Sequence, residues 1–541
     1  MTIARSSLIM ASGTVVSRIL GLVRTVMLAY AIGVTTNAAD AFGVANQLPN
    51  NVYAIIVGGL LNAVLVPQIV RAKVRKDGGK GYIDGLLTII ITVFAAITIA
   101  ATLLSPFLVR LYTSGWTEQT LALATAFAYW CLPQLFFYGL YSILGEVLNA
   151  RSSFGPFMWA PVLNNIVAII GLAIFVGMFG PGANLSWDQS QIALLAGSWT
   201  AGVVAQALIL FLFWKRIGLR FTFNFKLRGL GLRPALKAAS WTLAMLVITQ
   251  IGGLVQTSIT STTIAARTAT TATFTDGIAS VAVAGTAWLI FMIPHSVGTV
   301  SIATAYFTRM SEHAHTKKFD LLKVDLKKSL RSILAISAIA TAVMGVAAFP
   351  IARVFAFEYR PTVALGTVLI ALMVGLIPFS VNFMLQRVFY ALEDTRSPFI
   401  FTSIQILIFI IGAYVCAALV PAMALVAAIS LVMSVSFIVQ GSLAYLLLTR
   451  RIGSLKDLKL ASYAFQVLGA ALLAGAAGYY VLFLLGGVSE GSYSVASGLN
   501  ALISCLAIGG AAATVYATTL WLAKNSEIRS AVTAVRGIFR R

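Results

Sequence analysis

FIFTSIQILIFIIGAYVCAALVPAMALVAAISLVMSVSFIVQGSLAYLL, residues 399–447, runs for about 49 residues without one charged side chain. At about 1.5 Å of rise per residue, one helix of this length would be more than twice as long as the ~30 Å hydrocarbon layer is thick. The break available to it is Val420-Pro421, because proline cannot continue a helix without losing a hydrogen bond. The stretch therefore reads as two membrane helices, about 399–420 and 421–447. Long runs without in-and-out alternation favour helices over a β-barrel.

Read outward from there, the chain gives fourteen spans: about 7–33, 40–70, 82–112, 121–150, 155–180, 191–214, 238–263, 277–308, 329–356, 363–391, the two above, 461–486 and 496–522. Composition agrees. The 541 residues are 59% hydrophobic and only 10% charged, against about 25% charged in a soluble domain. A soluble enzyme, a secreted domain and a disordered chain are excluded, and the fold class is an all-α polytopic membrane protein. The N-terminal apolar stretch is broken by Arg18 and Arg24 and leads straight into more membrane, which does not suit a signal peptide. Cys131, Cys416 and Cys505 sit in apolar runs without a CxxC or Cys/His cluster, so neither disulfides nor metal is expected.

The formal net charge of +22 is explained by where the 38 basic residues fall. Thirty-one lie in the N-terminal stub, the even-numbered junctions and the tail, and only Arg267 and Arg360 lie in the opposite loops. This asymmetry places both termini in the cytoplasm and removes nucleic acid as the partner. The outer connections, such as 113–120 and 487–495, are too short for an external domain.

A repeat is also visible. Ser152-Ser153-Phe154-Gly155-Pro156-Phe157 follows span four, and Asp394-Thr395-Arg396-Ser397-Pro398-Phe399 follows span ten, at an offset of 242. Gly58 and Gly298 stand at nearly the same offset. Two pseudo-symmetric six-helix lobes, 1–237 and 238–459, followed by a helix pair at 460–523 and a basic tail at 524–541, fit this spacing. An offset of six spans makes the lobes parallel repeats, a transporter design.

Five basic residues remain inside spans: Arg18, Arg24, Arg110, Arg353 and Arg387. Arg110 and Arg353 lie near outer ends and can snorkel. Arg18 and Arg24 are mid-span, where an arginine costs at least ~2.5 kcal/mol unless it faces water or a partner. They either line a cavity for an anion, whose oxygens a guanidinium binds in pairs, or pair with Asp40 or carbonyls. Arg387 and Glu146 form either a cross-lobe pair or two unconnected interfacial charges. Asn46 and Asn50 share a face of span two with Gln47, Asn51 and Asn62 nearby, as cavity lining or as helix–helix glue. His295, after Pro294, reads as structural. Asp40 and Glu146 are read as the acids within the membrane, too few for a cation-driven antiporter.

Ser17-Arg18-Ile19-Leu20-Gly21 … Arg24, Ala39-Asp40-Ala41-Phe42, Leu48-Pro49-Asn50 and Val66-Pro67 resemble the first two helices of the MurJ/MviN lipid II flippases. These belong to the multidrug/oligosaccharidyl-lipid/polysaccharide exporter superfamily. Leu148-Asn149-Ala150 … Pro156 … Ala160-Pro161, Ala287-Trp288-Leu289 … Pro294 … Gly298 and Arg387-Val388-Phe389-Tyr390-Ala391 … Asp394-Thr395-Arg396-Ser397-Pro398 resemble later helices, in the actinobacterial form. The resemblance implies translocation of lipid II between leaflets of the bacterial cytoplasmic membrane by alternating access. It implies Arg18, Arg24 and Asp40 as cavity residues, no cofactor, a lipid-tail groove on spans 13 and 14, and contacts with membrane lipids and with cell-wall synthesis or division proteins. The chain departs from the family pattern at Thr25, where many members carry an acid, and at Tyr53, Ala54 and Leu289, where many carry arginine. The family's acid-built sodium site on helices seven and 11–12 finds no acids here. The rivals are a flippase for another polyprenyl-linked glycan, a multidrug antiporter, a non-transporting scaffold and, last, a glycosyltransferase.

Overall fold

The computed structural model describes residues 3–56, 80–151, 154–182, 187–216, 221–225, 232–269, 277–455 and 459–525. Gly58, Asn62 and the tail beyond Asn525 lie outside the described residues.

The chain forms two compact units, Met1–Ala265 and Ala266–Arg541. The first begins with α1 (Ile3–Ile32), α2 (Asn37–Ile56), α3 (Lys80–Leu103), α4 (Ser105–Tyr112) and α5 (Glu118–Cys131). It continues with α6 (Gln134–Ala150), α7 (Phe154–Phe179), α8 (Gln189–Arg216) and α9 (Leu232–Ser261). A short α10 (Thr263–Ala269) crosses the boundary. The second unit holds α11 (Val281–Pro294), a π-helical turn His295–Thr299, α12 (Val300–His315), α13 (Phe319–Val346), α14 (Ala348–Phe355) and α15 (Tyr359–Met373). It ends with α16 (Leu376–Ala391), α17 (Arg396–Leu419), α18 (Ala422–Ile452), α19 (Leu460–Leu484), α20 (Tyr493–Ala496) and α21 (Gly498–Leu522).

Among the described residues, twelve helices are long and apolar enough to cross a membrane. The pair α15–α16, bent by 46°, makes a thirteenth if it is one span. The long run does divide at Val420-Pro421, with Pro421 capping α18 in extended backbone. Several spans are broken where the sequence reading drew them whole. Span three breaks before Pro106, which sits in the first turn of α4, and span four breaks at Leu132-Pro133. Each break frees carbonyls that a straight helix would satisfy. In span eight, Pro294 is followed by the π-helical turn, a usual accommodation of a disrupted hydrogen-bond ladder. Span nine begins earlier than drawn, at Phe319, because an amphipathic extension precedes its apolar run.

The helix boundaries repeat. α6 and α16 start at Gln134 and Leu376, and α7 and α17 start at Phe154 and Arg396, both 242 residues apart. Most of α9 lies beyond the lobe boundary drawn at 237/238, yet it packs within the first unit. Its Ser261 carbonyl accepts the Trp116 indole N–H at 3.1 Å, and Ser261 Oγ accepts the Ser114 N–H at 2.8 Å.

Each unit has its own apolar core. In the first, Leu86, Phe94, Leu135, Leu144, Leu210 and Trp214 join α3, α6 and α8. In the second, Leu326, Ile333, Leu385, Phe389, Phe401 and Leu448 join α13 and α16–α18. Burial of such side chains contributes roughly 1.5–3 kcal/mol each in water. Inside a bilayer the contacts count through close packing instead. Small residues provide it: Gly202 lies against Asn164, and Gly171 against Ser198.

Candidate functional site

Arg24 is the centre of a polar cluster inside the first unit. Its guanidinium lies over the Trp199 ring of α8, 4.5 Å from the centroid. Trp199 is 5% exposed and is held by Phe42 of α2, edge-on at 5.3 Å. Phe42 in turn packs edge-on against Phe127. The indole face attracts the cation and covers one side of it. The Nε of Arg24 is buried without a hydrogen-bond acceptor. A planar guanidinium stacked in this way keeps its in-plane N–H groups for an oxyanion.

Around Arg24 stands a wall of hydroxyls and amides. Arg24 is close enough to Tyr138 for its charge to act on that hydroxyl, and Asn50 lies near the same hydroxyl. Tyr138 donates to Gln134 Oε1 at 3.1 Å, and Gln134 donates to Thr200 at 2.9 Å. The Tyr53 ring lies 5.5 Å from that of Tyr138, and its hydroxyl donates to Ser142 at 3.2 Å. Glu146 is near Tyr53 and Tyr141. Asn46 Oδ1 is buried without a partner.

The structure thus brings together Arg24, Asn50 and Glu146 through Tyr138 and Tyr53. Arg18 is exposed on α1. Asp40 is wholly buried on α2, two residues before Phe42. Arg387 belongs to the second unit, where it lies over Phe383 at 5.1 Å and Phe307 at 5.4 Å. His295 is buried, with Nδ1 3.1 Å from Ser380 Oγ and its ring 4.5 Å from that of Phe379, as a packed core histidine would be. Arg110 and Arg353 have local uses. Arg110 pairs with Glu118 at 3.2 Å, and Arg353 donates to the carbonyls of Val495, Ala356 and Ala496.

The departures from the family pattern are filled in specific ways. Thr25 donates to the Gly21 carbonyl at 2.9 Å, so its hydroxyl is used within its own helix. Tyr53 supplies a hydroxyl and a ring where an arginine was expected. Sequence reasoning missed Tyr138, Gln134 and Trp199. The signal was present as Gln134, Tyr138 and Tyr141, a polar stripe at i, i+4 and i+7 on one helix face. It also missed Asp84, which is buried at the start of α3 and accepts the Thr222 hydroxyl at 2.7 Å.

Asp394, between α16 and α17, accepts from the Ser397 N–H at 2.9 Å and the Ser397 hydroxyl at 2.8 Å, and pairs with Arg451 at 3.2 Å. Burial pushes its carboxyl up, but these bonds outweigh burial and hold it below the usual carboxylate range. Among the described residues, no group of three or more His, Cys, Asp or Glu could hold a metal.

A family model described as Lipid II flippase MurJ matches residues 28–522. A probable lipid II flippase MurJ of Rhizobium meliloti is 26% identical over 430 residues, covering 75% of this chain and 74% of that protein. One from Haemophilus influenzae is 26% identical over 420 residues, covering 71% and 75%. A solved structure of lipid II flippase MurJ in an inward closed conformation aligns with a TM-score of 0.70 at 19% identity, over 95% of this chain and 99% of that one. A MATE transporter structure aligns at 0.59 and 17% identity, over 84% and 96%. The match over nearly the whole length shows that this chain belongs to the lipid II flippase MurJ family.

Proposed function

We propose that this chain moves lipid II, the undecaprenyl diphosphate-linked peptidoglycan precursor, from the inner to the outer leaflet of the bacterial cytoplasmic membrane. The observation that carries the reading is Arg24: a mid-span guanidinium, stacked on Trp199, whose Nε has no acceptor. A diphosphate supplies the missing acceptors with bidentate geometry.

Arg18 adds positive charge for the same headgroup, and Arg387 is proposed as a headgroup-binding residue of the second unit. Asn46, Asn50 and Tyr138 offer neutral hydrogen bonds to its sugar and peptide parts. Asp40 joins the set through α2, which also carries both asparagines and Phe42. Alternating access requires a state that binds the headgroup less well on the outer side. The topology proposed is fourteen spans with both termini cytoplasmic. Spans 13 and 14 hold the lipid tail, and cell-wall synthesis or division proteins are the candidate protein partners.

The test is depletion of the native flippase and complementation with this chain carrying Arg18→Ala or Arg24→Ala. Arg24→Ala loses rescue at wild-type protein levels. Full rescue by both variants would contradict the anion site. A second reading, a flippase for another polyprenyl-linked glycan, is favoured by one observation: Tyr53, Ala54 and Leu289 stand where arginines were expected.

A further inference from the structure

α13 carries Lys323, Lys327 and Arg331 at i, i+4 and i+8, a ladder of positive charge along one helix face. Its deepest rung is the informative one. The Arg331 guanidinium lies over the Tyr463 ring of α19, 4.8 Å from the centroid, and its Nε is buried without an acceptor. Tyr463 is itself in the core shared by α13, α19 and α21, with Ala338, Val467 and Tyr516. Tyr516 donates to the Ala335 carbonyl at 2.8 Å, one turn beyond Arg331, and so fixes α21 on α13.

Further cations stand close by. Lys459 immediately precedes α19, and its carbonyl accepts the Tyr463 N–H at 3.3 Å. The Lys323 ammonium stands 3.5 Å from where a Cβ on Gly453 would be, just past the end of α18. Gly453 has a φ of 83°, in the left-handed region that favours glycine. Among the described residues, the acids on α13 and α19 are Asp320, in the first turn of α13, and Asp325, against Lys323, Lys327, Lys328 and Arg331 on α13 alone. Asp325 of α13 pairs with Arg309 at 2.8 Å and with His313 at 3.2 Å on α12. α19 contains no Asp or Glu.

We propose that α13 and α19 form a binding site for the phosphate headgroup of a membrane lipid, separate from the Arg24 cluster. Arg331 holds the phosphate at the level of Tyr463. Lys327 and Lys323 stand one and two turns nearer the helix start, where the charge asymmetry puts the cytoplasmic surface. Basic clefts between helices at that surface suit anionic headgroups. A tyrosine beneath an arginine is an amphipathic shelf suited to that interface. The phosphate can come from a bilayer phospholipid or from a polyprenyl diphosphate.

The test uses the full chain in phosphatidylcholine nanodiscs, with bound lipid counted by native mass spectrometry. Phosphatidylglycerol and undecaprenyl diphosphate are titrated separately. Wild type retains a saturable lipid, and Arg331→Gln or Lys327→Gln weakens retention by about fivefold per charge removed. Arg331→Lys keeps most of it. Preference for phosphatidylglycerol identifies a bilayer phospholipid, and preference for undecaprenyl diphosphate identifies the polyprenyl lipid; either supports the site. Equal retention by wild type, Arg331→Gln and Lys327→Gln overturns it. Should Arg331→Gln fail to fold, the half-buried Lys327 gives the same decision alone. Retention is read without transport, so a failure of the flippase reading leaves this result standing.

Discussion

α6 in the first unit and α16 in the second start 242 residues apart, each after a two-residue break, at Leu132-Pro133 and at Val374-Gly375. Their starts and the breaks before them correspond, yet their side chains do not. Tyr138 corresponds to Ser380 and Gly145 to Arg387. In the first unit the Phe157 ring occupies the place a Cβ on Gly145 would need, and that ring stacks on Tyr141 at 4.9 Å. In the second unit the same helix position carries a full arginine over Phe383 and Phe307. Proline makes one break and a glycine the other. Gly375 is required by a close approach, since a Cβ there would come within 2.9 Å of Ser434 Cα. The difference teaches that the repeat fixes where helices start and bend, while charge is assigned separately in each unit. The polar cluster around Arg24 in the first unit is built from α1, α6 and α8 together.

The comparison is open to breaking at three points, taken from the largest effect down. Gly145→Ala forces the Phe157 ring to move and costs about 1–3 kcal/mol, as overpacking does. The readout is the melting temperature of the purified protein. An unchanged value would mean the two units tolerate bulk equally at this position. Trp199→Ala removes the surface under Arg24, worth about 0.5–2 kcal/mol, and lowers lipid II affinity accordingly, while Trp199→Phe keeps most of it. Equal loss in both variants would point to a packing role instead. Asp394→Asn keeps an acceptor for the Ser397 N–H but removes the charge at the start of α17 and beside Arg451, a loss of about 0.3–1 kcal/mol. Its pH dependence follows from the lowered carboxyl value. The stabilisation is present above the unfolded value of about 3.9 and is lost as pH falls through the lower folded value. Wild type therefore loses stability on acidification that Asp394→Asn has already lost at neutral pH. Parallel melting curves against pH for the two would contradict this.

Much of this architecture was legible in the sequence because a bilayer imposes a length and a composition on each span. Val420-Pro421 was read correctly since no helix of that length fits the membrane. The breaks at Leu104 and Pro133 were not read, because hydropathy is continuous across them and only backbone geometry reveals the bend. The amphipathic start of α13 was cut off for the opposite reason: it is helical but not apolar. Arg24 announced itself by its cost in the membrane. Tyr138 and Trp199 did not, since tyrosine and tryptophan are ordinary in apolar runs and only packing places them against a guanidinium. Asp40 stood out in the sequence as an acid within a span, and the structure buries it on α2.

The central claim is that a phosphate-bearing polyprenyl lipid is recognised by Arg24 in the first unit. Reconstituted liposomes containing lipid II, compared with a different undecaprenyl-linked lipid, test it most directly through the rate of transfer between leaflets. The account predicts transfer of lipid II by the wild-type chain, in preference to the other lipid, and its loss in Arg24→Ala. Transfer by Arg24→Ala at the wild-type rate would contradict it.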